Sequence, residues 1–193
     1  MASDQVEIIN IVERGDAILV LNDGNLKLKV DTHMLRAASP VFKTMFGPDF
    51  ADGQGLSYQT PKEIPLEDDA EAMTTICKIV HLKNDTLPET LAPAQMLALA
   101  RIADKYFLQE ATKMAMRIWL TAPQTTNLED LLEAAILLDD PFGFNHITEI
   151  MILHHKPSTF KKPEGNVSEV YFRAVGKCFN RSVVPLYSVL IQR

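Results

Sequence analysis

Ser39-Pro40-Val41-Phe42-Lys43-Thr44-Met45-Phe46 leaves this chain few structural choices. A serine ahead of a proline starts a helix. Its hydroxyl accepts a bond from a freed backbone N–H, and proline already holds the backbone angle of the first helical position. Val41, Phe42, Met45 and Phe46 then share one apolar face, and Gly47-Pro48 ends the helix. A short helix with that face gains its stability from packing, so it needs a surface to dock on. Residues 17–30 offer one. Ala17-Ile18-Leu19-Val20-Leu21 is an apolar, β-branched run, Asn22-Asp23-Gly24-Asn25 is a turn sequence, and Leu26-Lys27-Leu28-Lys29-Val30 alternates strictly. The pattern predicts a β-hairpin with a tight turn at Asp23-Gly24, with Leu26, Leu28 and Val30 toward a core and Lys27 and Lys29 toward water. Asp31 or Thr32 caps a short helix through Ala38, and residues 7–12 read as a further short strand.

Residues 49–62 are rich in Gly, Asp, Ser and Gln and read as an exposed loop. Residues 63–66 contain Pro65 and make an edge strand at best. From Asp68 the periodicity turns helical. Met73, Ile76, Cys77 and Val80 make one face; Met96, Leu99, Ala100, Ala103 and Phe107 a second; Ala111, Met114, Ala115, Ile118 and Trp119 a third. Leu128, Leu131, Leu132 and Ala135 follow, stopped by Asp139-Asp140-Pro141, and then a shorter helix at residues 144–153. Residues 156–165 read as a linker, and Val167, Val170, Tyr171, Ala174, Val175, Cys178 and Phe179 form the cleanest amphipathic stripe of all. Strands gathered at one end and helices at the other predict an α+β fold rather than alternating βαβ units.

Composition then narrows function. The 193 residues carry 19 Lys plus Arg against 25 Asp plus Glu, a formal charge of −6. Nonspecific binding to a nucleic acid needs clustered cations that release counterions, and the bulk charge here has the opposite sign. No apolar run approaches the ~20 residues that span a bilayer, and the first residues lack the form of a signal peptide. We therefore expect a cytoplasmic or nuclear protein with no membrane and no direct nucleic-acid partner. The two cysteines, Cys77 and Cys178, both lie in apolar helical patterns and read as small buried hydrophobes. His154 and His155 point about 100° apart on a helix and cannot chelate one ion together. Glu67-Asp68-Asp69 reads as a helix N-terminal cluster, Asp139-Asp140 as a helix-ending turn, and Lys161-Lys162 as a solvated linker pair. No phosphate loop, nucleophile elbow or metal motif occurs. No cofactor is implied, and the chain reads as non-enzymatic. A metal-dependent hydrolase using His154, His155 and the acidic clusters is the remote alternative.

Residues 15–119 resemble a BTB/POZ domain, in the divergent style of filamentous-fungal proteins. The resemblance rests on Gly15-Asp16-Ala17-Ile18-Leu19-Val20, on Leu28-Lys29-Val30, and on Met34 through Phe46 with its Leu-x-x-x-Ser-Pro-Val-Phe-x-x-Met-Phe string. It continues through Ile64-Pro65-Leu66-Glu67-Asp68-Asp69, residues 76–81, and Ala103-Asp104-Lys105-Tyr106. It implies a small sheet flanked by helical hairpins and a role in protein–protein interaction, as scaffold or adaptor. Asp16, Asp31, Ser39, Pro40, Phe42, Met45, Phe46 and Tyr106 are its fold-defining positions. Asp31 stands where the family usually has His. Thr32 stands where a base often pairs with the residue matching Asp16, so the charged co-repressor groove is impaired. Cullin-binding members carry a hydrophobic-x-Glu motif in the loop after the Met-Phe helix. Phe50-Ala51-Asp52 is the nearest match, one methylene short, and leaves a cullin-based ubiquitin-ligase adaptor as the alternative function. Family members often pair as homodimers through the first helix of the pair, sometimes exchanging an N-terminal strand. Ile8, Ile9, Ile11, Met34, Leu35, Ala37 and Ala38 are the corresponding candidates, and they could equally be internal core. The expected organisation is an N-terminal segment 1–14, a BTB/POZ domain 15–122 and a helical, BACK-like extension 123–193.

Overall fold

The computed structural model describes residues 6–154. The readings at Lys161-Lys162, His155 and Cys178, and the stripe at 167–179, lie outside them. Among the described residues the chain is α+β. Strands β1 (Glu7–Asn10), β2 (Ala17–Leu21) and β3 (Leu26–Val30) lead into helices α1 (Thr32–Ala38) and α2 (Pro40–Met45). Strand β4 (Lys62–Pro65) follows, then α3 (Ala70–Val80), α4 (Pro93–Lys105), α5 (Gln109–Leu120), α6 (Leu128–Leu137) and α7 (Pro141–His154). The four strands lie in the order β1-β3-β2-β4. β2 and β3 are antiparallel, as the hairpin pattern predicts, while β1 runs parallel to β3 and β4 parallel to β2.

Period-two alternation gives this sheet one dry and one wet face. Ile9, Leu28, Leu19 and Ile64 align across the four strands, and the last three are fully buried. One residue along, Ile8, Lys27, Val20 and Pro65 align on the other face, where Lys27 reaches Glu63 at 2.5 Å. Pro65 sits on an edge strand, where no ladder bond is needed from its nitrogen. The hairpin turn is wider than a two-residue Asp-Gly turn. Leu21 pairs with Leu26, so residues 22–25 form the connection. Asn22, Asp23 and Gly24 all take positive φ (50°, 52° and 93°), and the Asn25 N–H closes on the Asn22 carbonyl at 3.0 Å. Asn and Asp tolerate that conformation better than other side chains do, so three left-handed residues can follow one another here.

The capped helix forms as its sequence dictates. Ser39 Oγ accepts from the Phe42 N–H at 3.0 Å, Pro40 occupies the first turn, and Phe42 and Phe46 are buried in one core with Leu19 and Leu28. The Phe42 ring stacks on Phe46 at 5.6 Å and on Tyr106 at 4.4 Å. Val41 and Met45 are half-buried against the same core. Ser39 also donates to the Tyr106 carbonyl at 2.5 Å, so one hydroxyl starts α2 and fixes the end of α4. Asp31, not Thr32, caps α1, accepting from the His33 N–H at 2.8 Å. His33 is exposed in the first turn. Asp69 caps α3 in the same way, through Ala72.

Two helical faces differ from their sequence reading. α4 stops at Lys105: the Leu108 N–H bonds back to Ala103 at 2.7 Å and Phe107 takes φ 53°. This left-handed ending turns Phe107 out to solvent and puts Leu108 into the core. On α5 the buried face is Thr112, Met116, Trp119 and Leu120; of the predicted stripe only Trp119 is buried, Ala115 is half-buried, and Ala111, Met114 and Ile118 face out. Asp139-Asp140 does more than end α6. Asp139 takes the left-handed position, and Asp140 opens α7 by accepting from the Phe142 N–H at 3.2 Å. One hydrophobic core runs from Ile11 to Met151, continuous across residues 122 and 123, with α6 packed on α4.

Candidate interaction surface

Phe50, Ala51 and Asp52 sit on a loop that its own backbone holds. The Phe50 N–H bonds to the Gly47 carbonyl, Gly53 to Phe50, and Gln54 to Ala51, at 3.1–3.2 Å. Lys62 Nζ, at the start of β4, donates to the Ala51 carbonyl and, at 3.1 Å, to that of Gln54. Gly53 is obligatory in this packing, because a Cβ there would lie 2.0 Å from the Gly47 carbonyl oxygen. The result is a fixed loop with Phe50 51% exposed, Ala51 exposed and Asp52 half-buried. An aromatic ring held in water on a fixed backbone has little ordering entropy left to lose on contact with a partner.

A second cluster gathers around Asp16. Thr32 donates to both carboxylate oxygens, from its N–H at 2.8 Å and its hydroxyl at 2.6 Å, and both residues are buried. The position that resembles a charged groove is therefore an internal latch between β2 and α1, with its carboxylate fully engaged. Tyr58 faces this corner from the loop. The Asp31 charge raises its phenol above the ordinary value first, then burial and Asp16, with Arg14 opposing.

His81 ties α3 to the same corner. Its Nδ1 lies 2.7 Å from the Cys77 carbonyl and its Nε2 accepts from the Asp31 N–H at 3.0 Å, which fixes the neutral Nδ1–H form. Burial pushes its pKa below the ordinary value; the carbonyls of Cys77 and Asp31 and the Asp31 charge oppose that, and Lys83 adds to it. The fold thus holds fewer protons at this site than the unfolded chain. The resulting stability is complete above the unfolded value of ~6.5 and is lost as pH falls below it. We expect the urea midpoint to drop between pH 7.5 and pH 5.5, with a weaker pH dependence in His81→Gln. A His81 titration by NMR at or above the ordinary histidine value would contradict this assignment.

The candidates for self-association separate by burial. Leu35 is fully buried and Ile11 nearly so, because both point into this chain's own core, and they are withdrawn as surface residues. Ile9 lies on the dry face of the sheet and is half-buried. Ile8 and Ala37 are exposed, and Met34 and Ala38 half-buried. β1 lies against β3 of its own chain.

Asp68 is the functional-looking carboxylate that the sequence reading folds into a cap cluster. It binds Lys105 Nζ at 2.7 Å and accepts from the Tyr106 hydroxyl at 2.6 Å; burial first, and then this carboxylate, raise the Tyr106 phenol above its ordinary value. Cys77 is fully buried, and burial pushes its thiol up to about 12, where it carries no thiolate at neutral pH. Among the described residues no group of three or more His, Cys, Asp or Glu side chains is placed to hold a metal ion. No helix among them is long and apolar enough to cross a membrane. No family model matches this chain, and no curated protein matches it.

Proposed function

We propose that this protein is a BTB/POZ-type protein–protein interaction module, a non-enzymatic scaffold or adaptor whose partner contact centres on Phe50. The observation that carries the reading is the half-exposed Phe50 ring on a loop fixed by Gly53 and Lys62. Buried aromatic anchors dominate the energy of protein interfaces. The small sheet, the Ser39-capped helix and the Phe42–Tyr106 stack support the family reading. The internal latch at Asp16 argues for a partner other than one that reads a charged groove.

Proximity labelling in the native cell, with the wild-type chain and Phe50→Lys side by side, tests it. A defined partner should be labelled by the first and lost with the second. With that partner purified, Phe50→Lys should cost at least about 2 kcal/mol, roughly thirtyfold in affinity. Gly53→Ala, which dislodges the loop without touching the ring, should weaken the same contact. An identical partner set for both chains would remove Phe50 from the interface. Phe50-Ala51-Asp52 also keeps the cullin adaptor in view, and titration against a cullin N-terminal domain decides it. A dissociation constant weaker than about 100 μM, roughly −5.5 kcal/mol, would exclude that partner.

A further inference from the structure

We propose that Thr60 is a phosphorylation site for a proline-directed protein kinase, and that its phosphate draws Lys62 off the Phe50 loop. Of the chain's 11 prolines only Pro40 and Pro61 follow a serine or threonine. Such kinases select that dipeptide because proline brings no backbone N–H to be satisfied in their groove. Ser39 is out of reach: it is 2% exposed, and its hydroxyl both donates and accepts within the fold. Thr60 is exposed, as are Tyr58 and Gln59 before it. Among the described residues, 55–61 make no backbone–backbone hydrogen bond, so a kinase can straighten this segment without breaking the sheet.

In the transfer, Thr60 Oγ1 forms a bond to the γ-phosphorus of the kinase's nucleoside triphosphate. The bridging P–O bond to the β-phosphate breaks, the diphosphate leaves with that electron pair, and the hydroxyl proton passes to the kinase's aspartate. Thr60 then carries a charge of about −1.5 to −2 at pH 7. Lys62 is the next cation along the chain. The residue before a proline favours extended backbone, and two extended residues span about 7 Å, a gap that a lysine ammonium and a phosphate close between them. In the unmodified chain that ammonium donates to the Ala51 carbonyl and, at 3.1 Å, to the Gln54 carbonyl. Those acceptors are neutral, and a hydrogen bond between two ions is the stronger. Asp52 stands between Ala51 and Gln54 in the chain, and its negative charge opposes a phosphate drawn toward the loop. Lys62 therefore leaves the loop instead of bridging the two. The loop keeps its own turns but loses its tie to β4. Phe50 then has to be ordered again on contact, which weakens a partner's hold. Only this last consequence rests on the reading of Phe50 as the partner contact.

The full chain, incubated with ATP and a purified cyclin-dependent kinase, should take up a phosphate that fragment mass spectrometry places on Thr60 and that Thr60→Val lacks. A Thr60 left unmodified by that kinase and by a mitogen-activated kinase would overturn the site. Hydrogen exchange reads the second half and needs no partner. The Phe50, Gly53 and Gln54 amides should exchange roughly tenfold faster in the phosphorylated chain, while those of Leu19 and Leu28 in the sheet stay as they are. Lys62→Gln should speed the same three amides without any phosphate, and phosphorylating that variant should add little. Unchanged or slower exchange at the three amides of the phosphorylated wild-type chain would overturn the release, whether or not Lys62→Gln folds. With the partner purified, phosphorylation should weaken binding about tenfold. A loosened loop with undiminished affinity would count against Phe50 as the contact and for the Thr60 switch.

Discussion

Phe42→Ala is expected to lower the unfolding free energy by about 3–5 kcal/mol. Phe42 is fully buried and sits between two other rings, stacked on Phe46 and on Tyr106. Truncation removes the transfer energy of the ring and leaves a cavity. The walls around it cannot close freely, because Tyr106 is held by its hydroxyl to Asp68 and by its carbonyl to Ser39. Both aromatic contacts are lost with the same ring, so the cost belongs toward the upper end of that range. Equilibrium urea unfolding at neutral pH measures it. Phe42→Leu, which keeps most of the apolar volume and loses only the stacking, should fall well short of the alanine variant. A loss below about 1 kcal/mol for alanine would mean that the ring is not the centre of this core.

Ser39→Ala should follow at about 2–4 kcal/mol, an unusually large effect for one hydroxyl. Losing the N-cap bond to Phe42 costs about 1 kcal/mol. The remainder comes from the far partner. The Tyr106 carbonyl receives the serine proton in a buried setting, and an orphaned buried acceptor costs about 1–3 kcal/mol. An exposed cap of the same type has no such second term, so Asp69→Ala on α3 is the internal control, expected near 1 kcal/mol. Equal losses for the two variants would show that the Ser39–Tyr106 bond contributes nothing.

What could be read from the sequence was whatever depends on neighbours in the chain. The hairpin strands, the Ser39 cap and the edge position of Pro65 follow from spacing and from local chemistry. What could not be read depends on distant partners. Asp68 looks like a helix-cap carboxylate among Glu67 and Asp69, and only Lys105 and Tyr106, far along the chain, give it its role. His81 carries no motif; its partner Asp31 is 50 residues away. The buried face of α5 escapes periodicity for a different reason. The helix is apolar on two faces, one through Ala111, Met114 and Ile118 and one through Met116, Trp119 and Leu120, and periodicity does not say which face meets the body. Trp119 settles it by donating its indole N–H to the Pro88 carbonyl. Of the candidate surface, the exposure of Phe50 agrees with a loop rich in polar residues. The rigidity of that loop rests on Gly53 and Lys62, which local pattern does not connect.

The Ser39–Tyr106 bond spans 67 residues, and that separation has a consequence during synthesis. The hairpin and α2 leave the ribosome long before their acceptor does. At about 5–20 residues per second, the nascent chain waits roughly 3–13 s before Tyr106 is even made. Through that interval Phe42 and Phe46 lack their third ring, and the helix that carries them lacks the carbonyl that its cap serine binds.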